Sequence, residues 1–183
     1  MNFDEVINNR RSARIFTNEN VSENQIKKIL YSGCLAPSAR NRQPWKFYIL
    51  SNQQKGDIMN MLFKWDKSNP KERTSVKGTA EQIKTANKMI MIYSNKYKSK
   101  AKCENYMKPD YISLGCAIEN MSLQAVNLGL GSCILCDTLY IENEINEYLG
   151  IKDFEQICGF IIGSPIYNYP QKEKKDFNDL LLN

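Results

Sequence analysis

Histidine is absent from this chain of 183 residues. Without an imidazole, the chain cannot form a Ser-His-Asp or Cys-His catalytic pair, a zinc site that contains histidine, or a histidine general base. Long apolar runs are also absent, since none approaches the ~20 residues that a bilayer span needs. The polar, acidic start Met-Asn-Phe-Asp-Glu is unlike a signal peptide. The sequence therefore predicts a cytoplasmic protein without a membrane partner, whose chemistry depends on other side chains or on a cofactor.

The cysteines give little support for a metal site. Without a secretion signal ahead of them, they fit free thiols in a reducing compartment. Cys133 and Cys136 form one C-x-x-C pair, but a tetrahedral zinc site needs four ligands and no second pair has matching spacing. We therefore expect inert thiols and no metal. The six cysteines are Cys34, Cys103, Cys116, Cys133, Cys136 and Cys158.

The composition is that of one globular domain, with 42% apolar and 25% charged residues. The length is enough for one buried core and too short for two ordinary domains, so we expect a single domain over 1–183. The net charge of +5 suits an anionic ligand. Because the basic residues are spread along the chain without interleaved aromatics, we expect no nucleic-acid partner.

Local patterns predict an irregular alternation of helices and strands, which favours an α+β fold. Two capping boxes, Asn2 with Glu5 and Ser22 with Gln25, each predict the start of a helix. The continuous apolar run 89–93 is typical of a strand buried on both faces. Further helices are expected over 52–66, 111–128 and 141–149, further strands over 45–50, 132–135 and 157–162, and loops over 67–78 and 95–108. The first two helices are expected to end near Asn9 and by Leu35 or Ala36.

The longest predicted helix, 111–128, is apolar around much of its circumference. Such a helix belongs at the centre of a core or at a subunit interface. Gly129 can cap it, and Gly131 then leads into a strand. A dinucleotide-binding turn would instead lie between a strand and the helix that it opens, and would carry a third small residue where this chain has Ile134. The two glycines therefore indicate a helix cap.

Two segments carry groups that could bind a ligand. Arg10, Arg11, Ser12 and Arg14 supply three guanidiniums and a hydroxyl that can converge on one phosphate, although a solvated basic turn would have the same composition. The loop 37–45 combines two prolines with Ser, Asn and Gln before a closing tryptophan. The simpler interpretation of that loop is a polar connection between a helix and a strand.

Four segments, in order along nearly the whole chain, resemble the FMN-dependent nitroreductase family. They are Arg10-Arg-Ser-x-Arg-x-Phe16, Pro37-Ser-x-x-Asn-x-Gln-Pro-Trp45, Asp110-x4-Gly-x4-Asn-x2-Leu-x-Ala-x3-Gly-Leu-Gly131, and Phe160-Ile-Ile-Gly-Ser-Pro165 followed by lysines. The chain departs from the family pattern at Ser164, where Tyr is commoner, and at Cys136-Asp137, where Gly or Glu-Gly is frequent.

The resemblance implies an α+β fold with a central, mainly antiparallel sheet flanked by helices. It also implies a homodimer with the long helix at the interface, one FMN at each end of that interface, and a tail, 165–183, that embraces the partner subunit. The residues implied to hold the phosphate and ribityl end are Arg10, Arg11, Ser12 and Arg14, with charge added by one or more of Lys172, Lys174 and Lys175. Those implied to contact the flavin ring are Gln82, Leu135 and Cys136, and, from the partner chain, Pro37, Ser38, Ala39 and Asn41.

The activity implied is that of an oxidoreductase in which NADPH or NADH reduces FMN and a small, electron-poor acceptor then takes the electrons. Nitroaromatics and quinones are such acceptors. Because the flavin carries the hydride, this ping-pong reaction needs no catalytic side chain and no metal. Flavin reductases, reductive dehalogenases and an enzyme that breaks down its own flavin use the same scaffold. Outside the enzymes, a flavin- or anion-binding module without turnover is the alternative.

Overall fold

A computed structural model describes residues 1–72, 75–96, 100–166, 170 and 173–182, with the side chains of all of these except 100–106. The helices are α1 (Phe3–Asn9), α2 (Glu23–Cys34), α3 (Asn52–Ser68), α4 (Val76–Thr85), α5 (Lys100–Asn127) and α6 (Glu142–Leu149). The strands are β1 (Lys46–Ile49), β2 (Lys88–Asn95), β3 (Gly131–Leu135) and β4 (Phe154–Gly163). They form one antiparallel sheet in the order β1-β2-β4-β3, which confirms the predicted α+β class.

The sheet is buried on both faces. On one face, Met89 and Met91 of β2 pack with residues of α3, α4 and α6. On the other, Ile90 and Ile92 pack with α2 and α5. The continuous apolar run in β2 therefore has the two-sided burial that its sequence predicted.

Both capping boxes form as predicted. The side chain of Asn2 accepts a hydrogen bond from the amide of Glu5, and that of Ser22 accepts one from the amide of Gln25. Gly129 follows α5 with a φ of 73°, so it ends a helix and opens none. Gly131 is the first residue of β3. This geometry confirms a helix cap that leads into a strand, and not a dinucleotide-binding turn.

The two predicted loops are shorter than expected. α3 runs to Ser68 and α4, which the sequence analysis missed, begins at Val76. α5 begins at Lys100, so residues 100–108 are helical and the prediction of a loop over 95–108 is wrong there. Six of the nine residues in 100–108 are Lys, Ala, Glu or Met, which favour helix. Pro109 lies within the helix, where it lacks a backbone N–H donor. β4 starts at Phe154, three residues before the predicted strand.

No helix among the described residues is long and apolar enough to cross a membrane. In the same part of the chain, no group of three or more His, Cys, Asp or Glu side chains is arranged to hold a metal ion.

Candidate functional site

The arginine segment lies beside the start of β3. The backbone of Arg10 becomes extended where α1 ends, and Ser12 forms an isolated parallel bridge with Ser132. The amide of Ala13 donates to the carbonyl of Ser132 at 2.9 Å. A Cβ on Gly131 would lie 2.5 Å from the Cβ of Ala13, so only a glycine allows this approach. Gly131 thus sets the position of the arginine segment as well as leading into β3.

The charges of Arg10 and Arg14 and the hydroxyl of Ser12 all act on one thiol, that of Cys133. Burial raises the pKa of this thiol, while the charges of Arg14 and Arg10 and a hydrogen bond with Ser12 act in the opposite direction. The thiol is therefore protonated and neutral, so no thiolate neutralises the positive charge near it. Two guanidiniums and a hydroxyl brought to one place form a donor set that suits a phosphate.

Arg11 contributes a donor that is not satisfied within the described residues. Its Nη1 donates to the carbonyl of Arg10 at 2.7 Å, but its Nε is buried and has no hydrogen-bond partner there. Leaving a buried donor unpaired costs about 1–3 kcal/mol, so this atom points to an acceptor on a ligand. Arg10 itself lies 3.3 Å from the carboxylate of Glu119, measured from its Nε. The sequence analysis missed Glu119, whose only signal is its place beside Asn120 in the long-helix motif.

The loop that joins α2 to β1 has a strained backbone. Arg40, Asn41 and Gln43 have φ values of 55°, 52° and 47°. A residue with a side chain in this left-handed region costs about 1–3 kcal/mol, and such strain gathers at ligand clamps and active sites. The hydroxyl of Ser38 accepts a hydrogen bond from the amide of Gln43 at 3.0 Å, which ties the two ends of the strained stretch together.

The same loop packs on α5. The amide of Ala39 donates to the hydroxyl of Ser113 at 3.4 Å. A cleft of about 240 Å³ lies between the loop, at Pro37, and the helix, at Ile112 and Cys116. Within one chain, the loop therefore lies on α5, whereas the arginine segment lies on β3. The family resemblance assigns the two to different FMN molecules of the dimer.

The end of β3 is linked to the start of α4. Leu135 is buried, Cys136 is exposed, and the carboxylate of Asp137 accepts hydrogen bonds from the hydroxyls of Ser75 and Thr79 at 2.5 and 2.7 Å. Serine and threonine four residues apart share one face of a helix. The four-residue spacing of Ser75 and Thr79 was the sequence signal for this contact. It could be interpreted only once the segment was known to form α4.

Gln82 lies on the same helix, three residues after Thr79 and so on a neighbouring position of that face. Its Oε1 is buried and has no hydrogen-bond partner among the described residues. An unpaired buried acceptor points to a ligand that supplies an N–H or O–H group. The contact at Asp137 therefore links two elements that the sequence analysis assigned to the flavin ring, the one with Gln82 and the one with Cys136.

A buried network supports the segment that follows β3. Thr138 is fully buried, and its hydroxyl donates to the carbonyl of Leu135 at 3.0 Å. The same oxygen accepts hydrogen bonds from the side chain of Gln156 at 3.0 Å and from the amide of Gly159 at 3.2 Å. Because every partner is buried, the backbone around Leu135 and Cys136 is held in one position.

The basic tail is described only in part. Lys172 lies outside the described residues, and Lys174 and Lys175 are exposed. Their contact with a phosphate stays a prediction.

Known proteins resemble this chain in both sequence and fold. A sequence model of the Nitroreductase family matches residues 7–164. A protein of Archaeoglobus fulgidus, provisionally named NADH dehydrogenase/NAD(P)H nitroreductase, is 30% identical over 176 residues, which cover 94% of this chain and 87% of that protein. The BluB-like flavoprotein of Clostridium difficile has a TM-score of 0.81 at 25% identity and covers 100% of this chain and 99% of its own.

A nitroreductase of Desulfovibrio desulfuricans, provisionally so assigned and crystallised in complex with FMN, has a TM-score of 0.80 at 23% identity. The match covers 100% of this chain and 97% of that structure. The family match spans the segments that carry the arginines, the strained loop, α4 and β3. This chain therefore belongs to the nitroreductase family and is an oxidoreductase.

Proposed function

We propose that this chain is an FMN-dependent NAD(P)H oxidoreductase that works as a homodimer. The observation that carries the proposal is the grouping of Arg10, Ser12 and Arg14 beside the start of β3, where Ser12 bridges Ser132 and the Nη1 of Arg14 donates to the carbonyl of Ser12 at 3.2 Å. A phosphate dianion is the ligand that such a donor set favours. The names of the Archaeoglobus relative and of the FMN-bound Desulfovibrio structure support a flavin phosphate and a nicotinamide donor.

The unpaired polar atoms of the site fit FMN. The Nε of Arg11 needs an acceptor, and the phosphate and ribityl oxygens of FMN are acceptors. The Oε1 of Gln82 needs a donor, and FMN offers a ring N–H and ribityl hydroxyls. FMN carries both kinds of group in one molecule, whereas a bare phosphate offers mainly acceptors. The donor set is therefore better matched by FMN than by an inorganic anion.

Bound FMN supplies the hydride chemistry between NAD(P)H and the acceptor. When FMN is bound, Arg10, Ser12 and Arg14 would anchor its phosphate, and one or more of Lys172, Lys174 and Lys175 would add positive charge. Gln82 and the backbone at Leu135–Cys136 would orient the ring, and Pro37–Asn41 of the partner chain would lie along it. No side chain is assigned as a general acid or base, in keeping with a chain that has no histidine.

One open face then serves both substrates in turn. We infer a ping-pong order, in which nicotinamide leaves before the acceptor binds, and acceptors that are electron-poor and small, such as nitroaromatics or quinones. The provisional name of the Archaeoglobus relative supports a nitro acceptor.

The test is a visible absorption spectrum of the purified protein, followed by anaerobic titration with NADPH and with NADH. We expect a flavin band that either nucleotide bleaches and that an added nitroaromatic or quinone restores. A flavin band that neither nucleotide bleaches would indicate a passive flavin-binding module. A colourless protein that does not take up added FMN would contradict the proposed function.

A further inference from the structure

An ion pair attaches the strained loop to α5. The Nε and Nη2 atoms of Arg42 lie 3.0 and 2.6 Å from one oxygen of Asp110, its Oδ1. The side chain of Asp110 is 1% exposed and that of Arg42 is 21% exposed. By contrast, the Arg10–Glu119 pair is longer and much more exposed. A charge pair withdrawn from water to this degree is strongly sensitive to the loss of either partner.

The position of Arg42 in the loop gives the pair a specific mechanical role. Arg42 stands between Asn41 and Gln43, two of the three residues with positive φ. Its own backbone is in the right-handed helical region, with a φ of −71° and a ψ of −22°. The ion pair therefore holds the chain at a right-handed residue that lies between two residues with a left-handed backbone.

Asp110 provides the rigid end of the attachment. It lies in α5, three residues before Ser113, whose hydroxyl accepts from the amide of Ala39. That hydroxyl also donates to the carbonyl of Pro109 at 2.8 Å. The helix thus holds the loop through an ion pair at Arg42 and through a neutral hydrogen bond at Ala39. Of the two, the ion pair is the shorter and the more buried.

A left-handed backbone at arginine and glutamine is not the intrinsic preference of those residues. The surrounding contacts must therefore impose this backbone conformation. The hydrogen bond between Gln43 and Ser38 joins only the two ends of the loop to each other. The Arg42–Asp110 pair is the buried charged contact that fixes the closed loop to the body of the domain. Without it, the loop would retain its internal hydrogen bonds and the longer hydrogen bond from Ala39 to Ser113, but it would be held less firmly on α5.

We propose that Arg42 and Asp110 are positioning residues for the flavin: their ion pair holds residues 37–43 in the one shape that meets the isoalloxazine ring. This inference rests on the proposed function, since it takes that loop as a wall of the partner chain's FMN site. Neither residue touches the cofactor. Each acts through Pro37–Asn41, and the loop is organised before FMN binds.

The experiment compares Asp110→Asn, Arg42→Gln, the double variant and Arg42→Lys with the parent protein, all freed of flavin. Asp153→Asn, which changes an exposed carboxylate between α6 and β4, is the matched control. FMN affinity is measured by fluorescence titration. Hydrogen–deuterium exchange of the amides in 37–45, without FMN, reports on the loop itself, with peptides of α3 as an internal reference.

We expect Asp110→Asn and Arg42→Gln each to weaken FMN binding by about tenfold and to speed exchange in 37–45 without changing α3. Because the pair acts as one unit, the double variant should bind no more weakly than the weaker single variant. Arg42→Lys keeps the charge and should recover part of the affinity. Asp153→Asn should match the parent in both measurements.

Parent-like FMN affinity and loop exchange in Asp110→Asn would overturn the proposal. A uniform rise in exchange across the domain would also overturn it, because it would show a merely structural role. If Asp110→Asn does not fold, Arg42→Gln and Arg42→Lys decide by the same criteria. If the parent binds no FMN, the proposed function fails instead, and the exchange of the loop still shows whether the ion pair holds it.

Discussion

At the scale of single residues, the charge and burial of a side chain decide what it can bind. Arg10 is half-buried at the end of α1, and its ion pair with Glu119 holds it beside the other arginines without burying its charge. Exposed pairs of this kind contribute little to stability. The ion pair therefore orients the guanidinium with little effect on the free energy of unfolding, and the guanidinium stays able to bind an anion.

Replacing Arg10 with alanine should weaken the retention of FMN more than it weakens the fold. A charge-assisted hydrogen bond to a phosphate contributes about 1.5–3 kcal/mol, which corresponds to a loss of affinity of about tenfold to more than a hundredfold. Fluorescence titration of flavin-free protein with FMN measures the change. Lys27→Ala, which removes a positive charge from the exposed face of α2, is the control and should bind FMN as the parent does. Equal affinity of Arg10→Ala and the parent would remove Arg10 from the phosphate site.

Cys158 gives a prediction about pH. Burial, with a smaller effect of Cys136, raises the pKa of its thiol from 9.0 to about 12. Between these two values the unfolded chain loses the thiol proton and the folded chain keeps it, so the free energy of unfolding falls as pH rises. The contribution of one such thiol is up to about 1.4 kcal/mol per pH unit.

Urea unfolding at pH 8 and pH 10 measures this dependence. We expect the parent to lose more stability between the two pH values than Cys158→Ala does, because the variant lacks the buried thiol. The same loss in both proteins would show that Cys158 ionises in the folded chain as it does in the unfolded chain.

At the scale of secondary-structure elements, one glycine decides where the arginine segment lies. Gly131, the first residue of β3, faces Ala13 so closely that a Cβ would overlap it. The segment from Arg10 to Arg14 can then bridge Ser132. The contact joins two stretches that are more than a hundred residues apart in sequence, so it depends on the sheet being formed.

Gly131→Ala should push the arginine segment away from β3. We expect a loss of about 1–3 kcal/mol in the free energy of unfolding, as for other overpacked sites, together with weaker FMN binding. Gly56→Ala in α3, where a Cβ would meet nothing within 4 Å, is the matched control. The control should bind FMN normally and be equally or more stable, since alanine favours helix over glycine. Parent-like FMN binding by Gly131→Ala would show that the segment tolerates displacement.

At the scale of the whole molecule, the C-terminal tail carries apolar side chains that are exposed to solvent. Every described residue of 173–182 is exposed, including Phe177, Leu180, Leu181 and Leu182. Apolar side chains gathered in this way mark an interaction surface. The proposed homodimer supplies a partner, since its tail is expected to embrace the other subunit.

Changing Leu180, Leu181 and Leu182 to serine should weaken the dimer. Sedimentation equilibrium should show the parent as a dimer and the variant with a shift toward monomer, because the burial of these side chains against the partner would be lost. Glu173→Ser with Asp179→Ser changes the same tail without removing apolar groups and should remain dimeric. A triple variant as dimeric as the parent would exclude the leucines from the interface.

Much of this protein can be predicted from local sequence, because the physical causes are local. Side-chain caps at Asn2 and Ser22, the apolar run 89–93 and the cap at Gly129 each depend on neighbours within a few residues. The segment from Arg10 to Arg14 and the loop from Pro37 are likewise visible as motifs. The helical start of α5 was missed because lysine-rich sequence is compatible with both loop and helix.

The contacts that build the site depend on tertiary structure, because their partners are distant in sequence. The meeting of Gly131 with Ala13, the hydrogen bonds from Ser75 and Thr79 to Asp137, and the ion pair of Arg42 with Asp110 each span more than 50 residues. No local pattern encodes such pairs. The sequence by itself determined which groups are available for binding and which elements carry them, and packing on the sheet decided which of those groups meet.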